Sequence, residues 1–304
     1  MDKYRGEIDG LRGIAILGVV IYHAELLFNN NHLFPGGFLG VDIFLVISGF
    51  LITRIINDEY TREGKFSFKK FYQRRFRRLI PALTVVVIIS TIFAFFTLYP
   101  SQFLFFLKSA FSSIFFFSNI FFHYTGESYG QSVLTNIPLL HTWSLSLEEQ
   151  FYLFFPIILF IIYKLREDKV NFFLILFFLI SLSFAITINP NNSSFNFYML
   201  PSRGWEFILG ALLAVNEKKN LFKKGILLSS FISFVGLMLI FYSFITLENT
   251  NEHPGISTLL PTFGTALIII SSNSKNYINF LLSNIIIKKL GLISYSLYLW
   301  HHPI

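Results

Sequence analysis

The sequence contains no cysteine, which excludes a disulfide-stapled scaffold and leaves the redox compartment unread. Charge is scarce: 13% of the 304 residues are Asp, Glu, Lys or Arg, against about 25% in soluble domains, so an ordinary soluble enzyme is excluded. Disorder is excluded as well, because 54% of the residues are hydrophobic and 40 are phenylalanine. There is no G-x-x-x-x-G-K-[ST] phosphate loop and no G-x-G-x-x-G turn after a strand. Metal-type spacing is missing too. His301 and His302 adjoin each other, so one helix cannot present both to one ion, and no metal is expected. No small-residue cleavage site follows the first apolar run, which reads as a retained helix. Internal repeats are not evident.

What the chain has is apolar segments. A mean hydropathy of +0.61 and runs near the roughly 20 residues needed to cross a bilayer predict an all-α, polytopic transmembrane helical bundle. About 9–10 spans are expected, at 11–28, 38–56, 80–99, 103–122, 146–163, 171–188, 202–215, 225–246, 257–272 and 290 onward. The segment at 202–215 is short and needs support from its neighbours. The last one stops at LYLWHHPI, whose final residue lies fifteen residues after Lys289, which reads as a C-terminally incomplete membrane domain over 1–304.

The net charge of +7 is no sign of nucleic-acid binding, since polytopic proteins gather Lys and Arg in loops on the cytoplasmic side. The 57–78 loop holds Arg62, Lys65, Lys69, Lys70, Arg74, Arg75, Arg77 and Arg78, so this loop and the N-terminus are expected inside. If 103–122 crosses, the basic loops 164–169 and 216–224 fall outside; if it does not, both fall inside with Lys288 and Lys289. The positive-inside rule favours the second case, as does Lys108 within that segment. His23 then lies near the midplane, about 15 Å past Gly13. An outward-facing polar cluster would collect it with Asp42, Glu148, Glu149, Arg203, Glu206 and His301.

Intramembrane ionisable residues are costly and usually face a cavity, a partner or a relay. His23 can be a general base or a neutral histidine bonded to a neighbouring helix. Asp42 can orient His23, or serve only as a helix-start acid. In HTWSLSLEEQFY, Ser144 or Ser146 can cap a helix whose first turn carries Glu148 and Glu149. His141 and Trp143 beside them suit a sugar face. SRGWEF offers Arg203 as a carboxylate partner, Trp205 beside it, and Glu206. On the basic side, Arg74, Arg77 and Arg78 share a helical face by spacing, and their planar forks suit phosphate, either of an anionic cofactor or of lipid headgroups. Arg12 can join that site. A proton-coupled secondary transporter or a polysaccharide exporter would use the same intramembrane groups, although transporters often show paired halves.

Six stretches together resemble the acyltransferase-3 family of bacterial membrane acyltransferases: RGEIDGLRGIAILGVVIYH, FPGGFLGVDIFLVISGFLIT, FYQRRFRRLIPAL, LLHTWSLSLEEQFYLFFP, PSRGWEFILGALLA and ISYSLYLWHHPI. The wording of 34–83 and 138–156 resembles members that carry a further helix and a periplasmic SGNH-hydrolase-like domain. The resemblance implies transfer of an acyl group, usually acetyl from acetyl-CoA as co-substrate, to a hydroxyl of a surface or exported glycan such as lipopolysaccharide O-antigen or peptidoglycan, in the bacterial inner membrane. It implies that His23 is the essential histidine and Asp42 the acid of the GVDxF motif. It also implies that the run with Arg74, Arg75, Arg77 and Arg78 holds the CoA phosphates, and that Glu148, Glu149 and Arg203 occupy motif positions. Leu45 stands where the family often has Phe, a packing difference only.

Overall fold

A computed structural model describes residues 4–29, 31–129, 137–188, 192–217, 225–248, 253–272 and 276–303. Helices dominate it. They are α1 (Gly6–His23), α2 (Gly40–Glu63), α3 (Phe68–Thr97), α4 (Pro100–Ile114), α5 (Ser118–Tyr129), α6 (Thr142–Arg166), α7 (Val170–Ile188), α8 (Ser193–Tyr198), α9 (Leu200–Asn216), α10 (Ile226–Thr246), α11 (Leu259–Ser271), α12 (Tyr277–Leu282), α13 (Ile285–Leu292) and α14 (Ser294–Trp300). The strands among the described residues are two antiparallel pieces, Leu27–Phe28 and Asn31–His32. The chain is an all-α multi-pass membrane protein. Among the described residues, four helical stretches are long and apolar enough to cross a bilayer: Gly37–Glu63, Phe68–Thr97, Thr142–Ile188 and Ile226–Thr246. The third holds two helices, α6 and α7, joined by a short 3-10 turn at Glu167–Lys169.

Three of the expected spans differ, the last because the stretch from 290 onward breaks at Ile293 between α13 and the seven-residue α14. The first helix runs from Gly6 to His23, not 11–28, and an exposed hairpin follows. Glu25, with φ of 48°, has left the helical basin. His23 is thus the last residue of α1, about 26 Å along its axis from Gly6, rather than midway along a longer helix. The 103–122 stretch is not one helix. It breaks at Phe115–Phe117, where Phe116 adopts φ of 57°, into pieces of 15 and 12 residues, each short of the roughly 20 needed to span.

A break inside an apolar bundle frees backbone groups that lipid cannot satisfy. Here α6 satisfies them. Gln150 Nε2 donates to Phe116 O at 3.1 Å and to Asn119 Oδ1 at 2.8 Å. The Ser118 amide donates to Ser146 Oγ at 3.1 Å, and the hydroxyls of Ser113 and Thr142 meet at 2.7 Å. This ladder fixes the start of α6, and with it His141 and Trp143. Gln150→Leu should therefore cost about 1–3 kcal/mol, the penalty for leaving a buried acceptor unpaired. A fall in thermal midpoint in detergent would show it, and an unchanged midpoint would mean the break satisfies itself.

The centre of the bundle is α2, whose membrane window is 72% buried. Water-driven burial does not hold helices together in lipid, so close backbone contact must. A Cβ at Gly49 would lie 1.9 Å from Phe207 O, and one at Gly210 would lie 2.0 Å from Val46 O. These glycines let α9 lie directly on α2, which is how a helix of only 17 residues is held: its expected dependence on neighbours is met by α2 and α7. The outward faces of α3 and α10 carry exposed Phe93, Phe95, Phe96, Phe231 and Phe234, a pattern suited to lipid contact.

Candidate active site

The ionisable residues singled out in the sequence do not form one cluster. They fall into three. The first is a set of four imidazoles at the C-terminal end of α1. His23 comes from that helix, His141 from the turn before α6, and His301 and His302 from the turn after α14. Ring centroids lie 4.9 Å apart for His23–His301, 5.7 Å for His23–His302, 5.2 Å for His141–His301 and 5.4 Å for His141–His302. His23 Nδ1 is 2.9 Å from Val19 O. A carbonyl only accepts, so Nδ1 carries the proton and Nε2 keeps its lone pair, the form a general base requires. Asp42 is not hydrogen-bonded to His23, contrary to one of the two roles open to it.

The second cluster holds Asp42. Arg203 Nη1 donates to Asp42 Oδ1 at 2.6 Å and to Glu206 Oε1 at 3.0 Å; its Nε donates to Phe197 O at 3.1 Å, and its Nη2 to His253 Nε2 at 3.0 Å. His253 Nδ1 lies 3.1 Å from Thr258 Oγ1. The guanidinium lies over the rings of both Trp143 and Phe197, at 5.3 and 5.1 Å, and those two rings pack on each other at 4.6 Å. Asp42 and Glu206 are fully buried and Arg203 is 1% exposed. The arginine spans from α9 to α2 and to the loop before α11, locking all three. Its expected pairing with Glu148 or Glu149 is not what forms. Trp205 is enclosed, with 0% exposure, so it has no open face for a sugar. Trp143 is itself 7% exposed and spends its face on Arg203.

The third is an open cleft, about 710 Å³ with the solvent space at its mouth included, between α1, α2, α3, α6 and α14, lined among others by Arg12, Arg75, Arg78, Glu148, Tyr152 and Tyr298. Glu148 Oε1 accepts from Ser48 at 3.1 Å and Oε2 from Tyr152 at 3.2 Å. The Arg75 guanidinium lies 4.3 Å over the Tyr152 ring. Arg12 donates to Ser294 at 2.9 Å. Of the basic run, Arg75 and Arg78 reach the cleft. Arg74 is turned to Glu59 at 3.4 Å, and Arg77 is exposed and outside it. Helical spacing was sound for Arg74, Arg77 and Arg78 as a set, but the face turned inward is the one through 75 and 78. Glu149 is half-buried and does not line the cleft. At its far end Tyr298 donates to His141 O at 2.9 Å and meets the Ser144 hydroxyl at 2.6 Å, so the cleft abuts the imidazole set.

His253, His302, Ser48, Tyr152 and Tyr298 carry parts of these clusters that reading the sequence did not assign. His253 lies in a polar loop, and only the fold carries it to Arg203. Tyr152 was legible: it follows Glu148 by four residues and so shares its helical face. Among the described residues, no group of three or more His, Asp or Glu is placed to hold a metal ion.

Comparisons with known proteins agree with this architecture. The acyltransferase domain family matches residues 5–304. O-acetyltransferase OatA of Staphylococcus aureus strain NCTC 8325 is 32% identical over 314 residues, covering 99% of this chain and 51% of the relative. A second protein of that species, from strain MSSA476, is 34% identical over 317 residues, with the same coverage of 99% and 51%. The chain thus spans about half the length of the curated relatives it matches. No solved structure matches it. With six motifs in order and a family match over nearly every residue, the chain belongs to the acyltransferase-3 family of membrane acyltransferases.

Proposed function

We propose that the protein is an O-acyltransferase that moves an acetyl group from cytoplasmic acetyl-CoA to a hydroxyl of a cell-surface or exported glycan, such as lipopolysaccharide O-antigen or peptidoglycan. It would sit in the bacterial inner membrane with its N-terminus in the cytoplasm. One observation carries the reading: a single cleft runs from Arg12, Arg75 and Arg78 to Tyr298, which is bonded to His141 in the imidazole set. Arg12 and His23 stand eleven residues apart on α1, about 17 Å along its axis. That separation suits a donor whose phosphates lie among arginines and whose thioester is carried on a long arm. The arginines would bind phosphate through charge-assisted forks. Ser48, Glu148, Tyr152 and Ser294 provide polar groups along the way for the amides of the arm. A transporter would need the buried acids and histidines but not this phosphate-suited end.

At the far end, His23 Nε2 takes the proton of the acceptor hydroxyl. The oxygen attacks the thioester carbonyl, the carbon–sulfur bond breaks, and the proton returns to the departing thiolate. An acetyl-histidine intermediate is the competing order of events. It requires CoA release without acceptor, so absence of that release from labelled donor would remove it.

The donor site separates the four arginines of the basic run. The double variant Arg75→Ala/Arg78→Ala should raise the KM for acetyl-CoA by tenfold or more, since each hydrogen bond to a charged group is worth about 1.5–3 kcal/mol. Arg74→Ala/Arg77→Ala should change it by less than about threefold, as exposed charges contribute little. Equal effects of the two pairs, or none from either, would place the donor elsewhere.

A further inference from the structure

A base that takes up a proton becomes a cation, and a neighbouring acceptor group stabilises that charge. In the commonest arrangement a carboxylate does so. Among the described residues, no carboxylate is hydrogen-bonded or ion-paired to His23; Asp42 is committed to Arg203 at 2.6 Å. What stands against His23 is another imidazole. His301 has its centroid 4.9 Å away, with ring planes 69° apart.

His301 is in the right form to accept. Its Nδ1 lies 2.6 Å from Tyr298 O, so Nδ1 is the protonated nitrogen and Nε2 carries the lone pair. That Nε2 is buried with no hydrogen-bond partner, an arrangement that costs stability unless function uses it. Two imidazoles joined Nε2 to Nε2 by one hydrogen bond have centroids about 5 Å apart, so the 4.9 Å between these rings leaves room for such a bond, although none is formed at rest. While both rings are neutral, each Nε2 carries only a lone pair and no bond can form between them. Once His23 is protonated the bond can form.

We propose that His301 is a proton-sharing partner of His23. It accepts a share of the His23 Nε2–H, beside the acceptor oxygen that has just given up that proton, and releases its share as the proton passes to the CoA thiolate. The balance is closed: one O–H and one C–S bond break, one C–O and one S–H bond form, and both histidines return to their starting tautomers. The inference rests on the acetyl-transfer reading above. His301 is placed for this by Tyr298, whose carbonyl holds its Nδ1 and whose hydroxyl closes the cleft.

The test uses the full-length protein in membranes, with transfer from labelled acetyl-CoA to the host's glycan as readout. His301→Phe should lower kcat about 10–100-fold, the value of one hydrogen bond to a charged group, with the KM for acetyl-CoA within about twofold. His301→Gln, close in size and still offering an acceptor oxygen, should recover most of the loss. It also decides the matter if the phenylalanine variant fails to fold. Wild-type kcat in His301→Phe overturns the proposal. So does a glutamine variant as impaired as the phenylalanine one, a rise in KM at unchanged kcat, or activity lost to a chelator and restored by zinc. Continued transfer in His23→Ala would instead sink the parent reading. An inactive His23→Ala beside a normal His301→Phe sinks this one alone.

Discussion

His23→Ala should lower acetyl transfer by about 10²–10⁴-fold, the usual contribution of a positioned general base, while the protein still inserts and still binds acetyl-CoA. The stability cost should be small. His23 is the last residue of α1, half-exposed, and its one hydrogen bond runs back to its own helix at Val19 O; truncating it unpacks no interior layer. Arg12, at the arginine end of the cleft, lies about 17 Å away along α1, so affinity for the proposed donor should not follow the loss. Base-labile O-acetyl on the host's surface polysaccharides, read by mass spectrometry at matched membrane levels, provides the measurement. Equal acetylation with and without His23 would make it a structural histidine and remove the acid–base reading. Its placement at a helix end, beside an exposed hairpin, leaves it open to the proposed acceptor, and no deep channel to the membrane centre is needed for it.

The fold class was legible because lipid imposes a simple demand: long apolar stretches with few charges, which composition records directly. Helices occupy most of the apolar runs that length marked, and four stretches are long enough to cross a bilayer. What composition could not show is where a helix ends inside a run that stays apolar. Ala24–Leu27 continues α1 by hydropathy, yet Glu25 leaves the helical basin. Phe115–Phe117 is as apolar as its flanks, and its break is held by Gln150, which lies 34 residues on. The same limit applies to the site. His23, Glu148 and the arginine run were visible as costly residues in apolar surroundings, and the motifs carried their order. Which of them touch was not visible, because that depends on helix rotation. Arg75 rather than Arg74 faces the cleft, and Asp42 faces Arg203 rather than His23. The Asp42–Arg203 pair spans 161 residues, and only helix packing through Gly49 and Gly210 brings its two halves together.

Arg203→Leu should be the most disruptive single change in the protein. The guanidinium makes four hydrogen bonds, to Asp42, Glu206, Phe197 O and His253, and its loss leaves two buried carboxylates without a counter-charge. Removing one partner of a buried ion pair costs about 3–5 kcal/mol, against a total stability of roughly 5–15 kcal/mol for a typical domain, so the variant should scarcely accumulate in membranes. Arg203→Lys should be intermediate: an ammonium keeps the charge but cannot fork to both carboxylates, a carbonyl and an imidazole at once. The cluster also allows Asp42 to be tested for a chemical role. Replacing the charged set together, as Arg203→Met with Asp42→Leu and Glu206→Gln, removes both the charges and the need to balance them, and buried ion pairs exchanged for apolar groups are often neutral or better in stability. If Asp42 only locks α2 to α9, the triple variant should recover both accumulation and acetyl transfer. Recovery of accumulation and thermal midpoint without transfer would show that Asp42 acts on the reaction from its buried position. The geometry predicts the first result, because every described side-chain contact of Asp42 leads to Arg203, Glu206 or His253, and none leads to His23.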